Sequence, residues 1–253
     1  MKPTAPCEVF VMKEFLKKII KSLPIAFTQN QRYDRQTQQV LRRVLRPRSS
    51  CVDVGCHKGE VLLQMLRYAP QGQHFGFEPI PVLYQQLTVN FASRPNCHFY
   101  QLGLGATPGE VSFNYVVSNP AYSGFVKRTY DRAHEEDTLI TVRRARLDDV
   151  LPPGTLVDLL KIDVEGGELQ VLEGAQRLLA ASRPVIIFEH GIGGSDHYGT
   201  RPEQVYDLLT APAIGLSIST MARWLAGQPA LSRAELVREF EQRLNYYFIA
   251  YPA

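Results

Sequence analysis

The stretch LLKIDVEGGELQVLEGA, residues 159–175, changes from a strand pattern to a helical pattern at a pair of glycines. Before the glycines, an apolar run carries charged side chains at every second position, namely Lys161, Asp163 and Glu165. Because side chains alternate along a strand, these three should lie on the same side of it. Beyond the glycines, apolar residues recur at helical spacing, which predicts a helix over 168–181. The stretch therefore predicts a buried strand whose carboxyl end presents two acids.

From Ser50 onward, the chain alternates between apolar strand patterns, turns and helical patterns. The strand patterns, in order, are CVDVG, HFGFEP, CHFYQLGLG, EVSFNYVV, LITVRRA, LLKIDV, PVIIFEHG, AIGLSIST and NYYFIAY. Strands that alternate with helices indicate βαβ units, in which a mainly parallel sheet is covered by helices on both faces. EVSFNYVV alternates apolar and polar residues and is predicted to be an added, half-exposed strand. The predicted fold class is therefore α/β.

Composition narrows the class of protein further. The chain has 253 residues, 45% hydrophobic and 21% charged, which suits one globular domain with a short extension. Its net charge of +3 is too nearly balanced to indicate binding of nucleic acid, so a nucleic-acid partner is not expected. The four cysteines form no C-x-x-C pair, which speaks against a zinc site or a disulfide framework. With no transmembrane run and no signal-peptide layout, we expect a cytoplasmic protein.

The first 48 residues differ from the rest and are predicted to form an N-terminal helical extension, followed by one domain over 49–253. Residues 9–23 carry lysines among apolar residues at helical spacing, which predicts a basic amphipathic helix. This helix suits either peripheral contact with an anionic membrane or docking on the domain or on a second subunit of a homodimer; we favour docking. A second helix is predicted over 31–45.

Polar residues and glycines follow the predicted parallel strands, and ligands of such sheets bind outside the carboxyl ends of the strands. The residues at these ends are Asp53, Gly55 and Gly59, then Glu78, then residues 103–106, then Asp163 and Glu165, and then Glu189 and His190. Acids and glycines recur among them. The sequence therefore predicts a polar ligand across this edge of the sheet.

The turn DVGCHKG is not the G-x-G-x-x-G dinucleotide fingerprint, because His57 occupies its middle position. This disfavours a pyrophosphate, and an acid at Asp53 suits a ligand with an ammonium group. Glu78, followed by Pro79, ends the second strand at the position where an acid accepts ribose hydroxyls. Together these features indicate a nucleoside with a cationic, non-phosphorylated arm, for which S-adenosylmethionine is the obvious candidate.

Several blocks of the chain resemble those of the FkbM-family methyltransferases. They are CVDVGCHKGE, FGFEPIP, LGLGATPGEVSF, RLDDVL, LLKIDVEGGELQVLEGA and RPVIIFEH, and they cover about residues 50–191. The resemblance implies a class I methyltransferase, Rossmann-like fold with a seven-stranded, mainly parallel sheet whose last strand is antiparallel. It also implies S-adenosylmethionine as methyl donor and a hydroxyl of a sugar, glycolipid or natural product as acceptor.

Motif positions in the family imply a set of donor-binding residues in this chain. The methionine arm, the ribose and the adenine would be held by Asp53, Gly55, His57, Gly59, Glu78, Pro79, Gly103, Leu104 and Asp163. The chain departs from the family at His57, where asparagine is common, and at Ala106, where an acid often accepts the adenine amino group. This departure implies either a lower affinity for the donor or a backbone carbonyl in place of that acid.

Methyl transfer to a neutral hydroxyl benefits from a base within about 3 Å of the oxygen. We expect Asp163 near the sulfonium, and Glu165 and His190 to orient or deprotonate the acceptor, His190 being the better base near neutral pH. A structural role for His190 is the alternative. These acids, with Glu189, also offer ligands for Mg²⁺ or Mn²⁺. Active-site acids explain the pattern equally well, so no metal is predicted.

The long polar segment 119–138 is predicted to be a binding loop on the acceptor side. Within it, Tyr122, Ser123 and Phe125 suit a sugar-like substrate, and Lys127, with its neighbour Arg128, suits an acidic group. Two other classes of function stay open. A nucleic-acid methyltransferase would need a basic patch, and a non-catalytic relative that binds a nucleoside or a partner protein is favoured only by the missing acid at position 106.

Overall fold

A computed structural model of the chain describes residues 28–130 and 134–252. The predicted basic helix over 9–23 lies outside the described residues. The chain divides into two units between Arg35 and Gln36, and every strand of the described ranges belongs to the second unit. The predicted domain boundary after residue 48 stays a prediction. Among the helices of the described ranges, none combines the length and the apolar character needed to cross a membrane.

The strands and helices alternate as expected for an α/β domain. The strands, in chain order, are β1 (Cys51–Val54), β2 (His74–Phe77), β3 (Cys97–Tyr100), β4 (Gly103–Leu104), β5 (Gly109–Val116), β6 (Asp137–Ala145), β7 (Leu159–Ile162), β8 (Val185–Glu189), β9 (Leu216–Thr220) and β10 (Tyr247–Pro252). The helices are α1 (Gln29–Val44), α2 (Glu60–Tyr68), α3 (Pro81–Asn90), α4 (Leu147–Val150), α5 (Glu168–Glu173), α6 (Gln176–Ser182), α7 (Pro202–Thr210), α8 (Met221–Leu225) and α9 (Arg233–Glu241), with 3₁₀ turns at Pro120–Tyr122 and Ser195–Tyr198.

Seven strands form the main sheet, in the order β3-β2-β1-β7-β8-β10-β9. In the series β3-β2-β1-β7-β8, each strand is parallel to its neighbours, whereas β10 is antiparallel to both β8 and β9. This confirms the predicted mainly parallel sheet with an antiparallel last strand. The order changes direction at β1, where β2 lies on one side and β7 on the other, and a crevice forms at such a switch point.

The central strands β1 and β7 are buried along their whole length because helices cover both faces of the sheet. Half of their side chains, such as Val52 and Leu160, belong to one apolar core. Two charged residues interrupt it: the register places Asp53 of β1 directly beside Lys161 of β7. This pair therefore places two charged side chains within the buried central strands.

A second sheet of three strands, in the order β4-β6-β5, lies beside the main one. The segment CHFYQLGLG is predicted to be one strand but forms two, because β3 pairs with β2 and β4 pairs with β6. EVSFNYVV is an added strand as predicted, paired along its length with β6. Its buried Phe113 packs with Val142, Ile80 and Leu83, which fixes the small sheet against α3.

The helix predicted over 168–181 is divided into α5 and α6 at Gly174. The carbonyl of Gly174 accepts a hydrogen bond from the Asp148 amide at 3.0 Å, so the break joins the helix pair to α4. A Cβ on Gly174 would lie 2.2 Å from the carbonyl oxygen of Gly105. Glycine therefore allows the helix pair to approach the turn after β4.

Replacing Gly174 with alanine should destabilise the fold by about 1–3 kcal/mol, because the added methyl overlaps a backbone oxygen that cannot move freely. The φ of −80° suits alanine, so the effect would be steric. Urea unfolding of Gly174→Ala measures it. The exposed Gln176→Ala is the control and should change the free energy of unfolding by less than about 0.5 kcal/mol. An unchanged midpoint in Gly174→Ala would contradict the close approach.

Candidate functional site

An open cleft of about 660 Å³ lies at the carboxyl ends of β1, β2 and β7. One part of its wall is apolar and the other carries carboxyl groups. The lining residues are Val54, Gly55, His57, Phe77, Glu78, Pro79, Ile80, Leu102, Gly103, Leu104, Phe113, Pro120, Ala121, Ser123, Phe125, Asp163, Val164 and Glu165. The position is the crevice expected for this sheet order, where ligands of such sheets bind.

A buried cation lies beneath the cleft. Lys161, only 6% exposed, places its Nζ 3.3 Å from Asp53 Oδ1 and 3.5 Å from Asp163 Oδ2. The same Nζ donates to the Gly55 carbonyl at 3.1 Å. Burial opposes ionisation of Lys161, but the charges of Asp53 and Asp163 outweigh it and raise its pKa. Lys161 is therefore charged and pairs with both acids.

Asp163 is held as an anion at the end of β7. Burial alone would raise its pKa, but the Lys161 charge and the Tyr247 hydroxyl lower it. The Tyr247 hydroxyl donates to Asp163 Oδ2 at 2.5 Å. Tyr247 of β10 lies opposite Glu189 of β8 in the strand register. Both β8 and β10 therefore bring a side chain to this site.

Glu189 differs in charge from its neighbour. Burial, followed by the negative charge of Asp163, raises the pKa of Glu189 well above its usual value. Carboxyl oxygens of Asp163, Glu165 and Glu189 lie within 4.8 Å of one another. Since three anions at that spacing repel strongly, a protonated Glu189 relieves the repulsion.

Glu165 reaches the cleft by an unusual backbone conformation. β7 ends at Ile162, and Glu165 has a φ of 60°, in the left-handed region. Strand alternation therefore does not place its side chain, although Asp163 and Glu165 both line the cleft as predicted. The Glu165 carboxylate forms an ion pair with Arg128 of the predicted binding loop.

Glu78 closes the other side of the cleft at the end of β2. Its Oε2 accepts from the His57 amide at 2.9 Å and its Oε1 from the Ile80 amide at 3.0 Å. Burial raises the pKa of Glu78 to about 7 against the opposing effect of these two hydrogen bonds. The carboxyl group is thus fixed in place by the backbone of the glycine turn and of the turn before α3.

The predicted glycines serve different purposes. Gly55 has a φ of 72°, and a Cβ there would lie 2.0 Å from the Asp163 carbonyl oxygen, so it allows the ends of β1 and β7 to meet. Gly59, with a φ of 83°, faces the Phe91 ring rather than the cleft. Gly103 lies under the ring of Phe125, which a Cβ would approach to 2.4 Å.

The predicted loop residues divide between the cleft and the loop itself. Ser123 and Phe125 line the cleft. The Ser123 hydroxyl also accepts from the Val116 amide at 2.9 Å. Lys127 pairs with Asp137 at 2.5 Å and Tyr122 stacks parallel to Tyr130, with ring centroids 6.3 Å apart; neither lines the cleft.

His190 does not lie in the cleft, contrary to the prediction that it contacts the acceptor. Because Glu189 faces Asp163 and side chains alternate along β8, the next side chain points to the opposite side. The ring is 0% exposed and stacks on Phe240 at 4.7 Å. Burial lowers the pKa of His190 to about 4, so it is a weak base.

The cleft coincides with the part of the chain that a known family shares. The model of the methyltransferase FkbM domain matches residues 53–210, more than half of the chain. The chain belongs to the FkbM methyltransferase family. A solved FkbM methyltransferase from Methylobacillus flagellatus has a TM-score of 0.50 and 16% identity, covering 85% of this chain and 50% of that one, which shows a shared fold.

Curated relatives include three methyltransferases. Methyltransferase sdnD of Sordaria araneosa is 32% identical over 49% of this chain and 59% of that protein. The 2-O-methyltransferase NoeI of Sinorhizobium fredii is 24% identical over 58% of this chain and 65% of NoeI. The hexuronic acid methyltransferase AglP of Haloferax volcanii is 28% identical over 59% and 57%. The chain therefore spans less than two thirds of the length of each relative.

The cleft of this FkbM-family chain fits the donor that the family implies. Its apolar wall suits a nucleoside base, and the fixed carboxyl group of Glu78 retains lone pairs for ribose hydroxyls. The Asp163 anion lies at the other part of the cleft, where a cationic arm would be neutralised. An elongated molecule with a base, a ribose and a positive charge matches this arrangement of surfaces.

One residue that contacts the site was not found from the sequence. Tyr247 lies in a strand pattern without a polar motif, and only its pairing with β8 brings it to Asp163. Its contribution depends on a contact between distant segments, which spacing along the chain does not reveal.

His190 should make the fold sensitive to acid. Its pKa falls from 6.5 to about 4 on folding, so the unfolded state binds more protons between these values and the free energy of unfolding decreases as the pH falls through them. Between pH 7 and pH 5, protonation of His190 in the unfolded state should lower the free energy of unfolding of wild type by about 2 kcal/mol. His190→Phe, which keeps a ring against Phe240, should remove that loss.

Urea unfolding at the two pH values measures this difference. His197→Gln, at an exposed histidine, is the matched control and should follow wild type. A His190→Phe protein that loses as much stability as wild type between pH 7 and pH 5 would contradict the assignment of a neutral, buried imidazole.

Proposed function

We propose that this protein is an S-adenosylmethionine-dependent O-methyltransferase that acts on a hydroxyl of a sugar, a glycolipid or a natural product. The observation that carries the proposal is the cleft at the ends of β1, β2 and β7, where Glu78, Asp163 and Glu165 surround one open volume. Membership of the FkbM family supports the reaction class. When bound, the donor supplies an activated methyl group.

Three parts of the cleft would hold the donor. Ile80, Leu102 and Leu104 provide an apolar surface for the base. Glu78, fixed by two backbone amides, would accept the ribose hydroxyls. Asp163, kept ionised by Lys161 and Tyr247, would stabilise the positive charge of the methionine arm. Because these groups are held before binding, little ordering is needed to align donor and acceptor.

The acceptor hydroxyl needs a group that takes its proton, and Glu165 is the best candidate in the cleft. Glu189 already carries a proton, and His190 is buried elsewhere. The pKa of Asp163 is lowered by Lys161 and Tyr247, which makes this carboxylate a weaker base. Glu165 forms an ion pair with Arg128 through one carboxylate oxygen, Oε2. Its other oxygen can accept a hydrogen bond from the acceptor hydroxyl while this ion pair stays intact.

The acceptor side of the cleft is formed by the loop that carries Ser123 and Phe125. An aromatic ring beside a polar edge is a common surface for sugar-like ligands. The names of two relatives, a 2-O-methyltransferase and a hexuronic acid methyltransferase, support an acceptor of this kind. These observations favour a hydroxylated, sugar-like acceptor over a nucleic acid.

Binding of S-adenosylhomocysteine tests the donor site. Calorimetry should show binding to wild type, and Glu78→Gln should weaken it by about tenfold, because one acceptor oxygen is replaced by a donor amide. Exposed Glu110→Gln on β5 is the matched control and should bind like wild type. No binding by wild type, or equal binding by Glu78→Gln, would overturn this assignment.

Methyl transfer tests the base. With labelled S-adenosylmethionine and a panel of glycosides and polyhydroxylated natural products, wild type should methylate a member of the panel. Glu165→Gln should lower kcat by about 100-fold or more while S-adenosylhomocysteine still binds. Exposed Glu241→Gln on α9 should retain wild-type rates. A Glu165→Gln protein with an unchanged kcat would exclude Glu165 as the base.

A further inference from the structure

The turn that presents Glu165 is held in a strained conformation. Glu165 has a φ of 60° and Gly166 a φ of 113°, so two successive residues occupy the positive-φ region. A residue with a Cβ is uncommon there, and the conformation persists only where the surroundings impose it. The structure must therefore contain groups that hold this turn.

One such group is the carboxyl of Glu168. Its Oε1 accepts from the Val164 amide and from the Gly166 amide, both at 3.1 Å. These amides flank Glu165 on either side in the chain. A single oxygen thus binds the amides at both ends of the three-residue turn. These two hydrogen bonds restrict the backbone of Glu165, which lies between them, and so fix the direction of its side chain.

Another segment also encloses the turn. A Cβ on Gly166 would lie 2.4 Å from the Gly194 carbonyl oxygen and 2.9 Å from the Tyr198 ring. The turn is therefore in close contact with this segment as well as with the Glu168 carboxyl. Van der Waals contact alone, however, does not satisfy the two amides that Glu168 accepts from.

A carboxyl group at this position is costly. Glu168 is 0% exposed, and its Oε2 has no hydrogen-bond partner in the described residues. An apolar side chain of similar size would avoid the desolvation penalty but would leave two buried amides unpaired. The arrangement is explained if the hydrogen bonds to the turn outweigh the cost of burying the group.

We propose that Glu168 is a positioning residue, which fixes the Val164–Gly166 turn so that the Glu165 carboxylate points into the cleft and meets Arg128. The role of Glu165 itself rests on the proposed function. Glu168 touches neither donor nor acceptor, because it is buried behind the turn and does not line the cleft. Its contribution is to the direction of another side chain.

Amide hydrogen exchange of ¹⁵N-labelled protein, measured by NMR without any ligand, tests the first half of the proposal. Glu168→Ala should speed exchange at the Val164 and Gly166 amides by about tenfold, because both lose their acceptor. Glu168→Gln retains an acceptor oxygen and should restore slow exchange. The Asp163 amide, which donates to Val54 at 3.1 Å, should be unchanged in both variants.

Should Glu168→Ala fail to fold, Glu168→Leu provides a second variant that fills the space without an acceptor. Exchange at the two amides equal to wild type in either folded variant would overturn the proposal. Uniformly faster exchange, including the Asp163 amide, would also overturn it, because that result indicates general destabilisation.

Ligand preference tests the second half. Sinefungin resembles S-adenosylhomocysteine but carries an amine near the position of the transferred methyl, so a nearby carboxylate favours it. Glu165→Gln should lower the preference of wild type for sinefungin by about fivefold. Glu168→Ala or Glu168→Leu should show the same loss, and Glu168→Gln should not.

The outcomes separate the proposal from the proposed function. The positioning role would be overturned if Glu165→Gln lowered the preference for sinefungin while Glu168→Ala and Glu168→Leu kept the wild-type preference. Failure of wild type to bind either ligand would overturn the proposed function, and the exchange rates would still decide whether Glu168 holds the turn.

Discussion

The buried ammonium of Lys161 unites the two central strands with the cleft above them. It lies 3.3 Å from Asp53 of β1 and 3.5 Å from Asp163, which follows β7. Burying one charge without a partner costs several kcal/mol, so each member of this group requires the others. Through the Gly55 carbonyl, the same ammonium also fixes the glycine turn. The core and the site therefore depend on one cluster of charges.

Neighbouring carboxyl groups differ in protonation because their surroundings differ. Asp163 has a cation and a phenol beside it, whereas Glu189 has chiefly burial and a negative neighbour. Glu78 has two amides against full burial, and burial prevails. One end of the sheet thus offers an anion, a neutral acid and a group that titrates near neutrality, which lets chemically identical side chains take different roles.

Much of this arrangement could be predicted from the sequence where it depends on neighbours in the chain. The mainly parallel sheet agrees with the prediction, and Glu78, Asp163 and Glu165 line one cleft, although β7 ends before the last two acids. His190 was misplaced because alternation along β8 had to be counted from Glu189. The break at Gly174 and the contribution of Tyr247 depend on distant segments, which no spacing rule encodes.

The position of β10 between β8 and β9 constrains how the sheet assembles. β9 precedes β10 in the chain, yet it joins the sheet only through β10. Without β10, β8 would have an open edge and β9 would have no partner in this sheet. Both pairings that complete this end of the sheet therefore depend on the single strand β10.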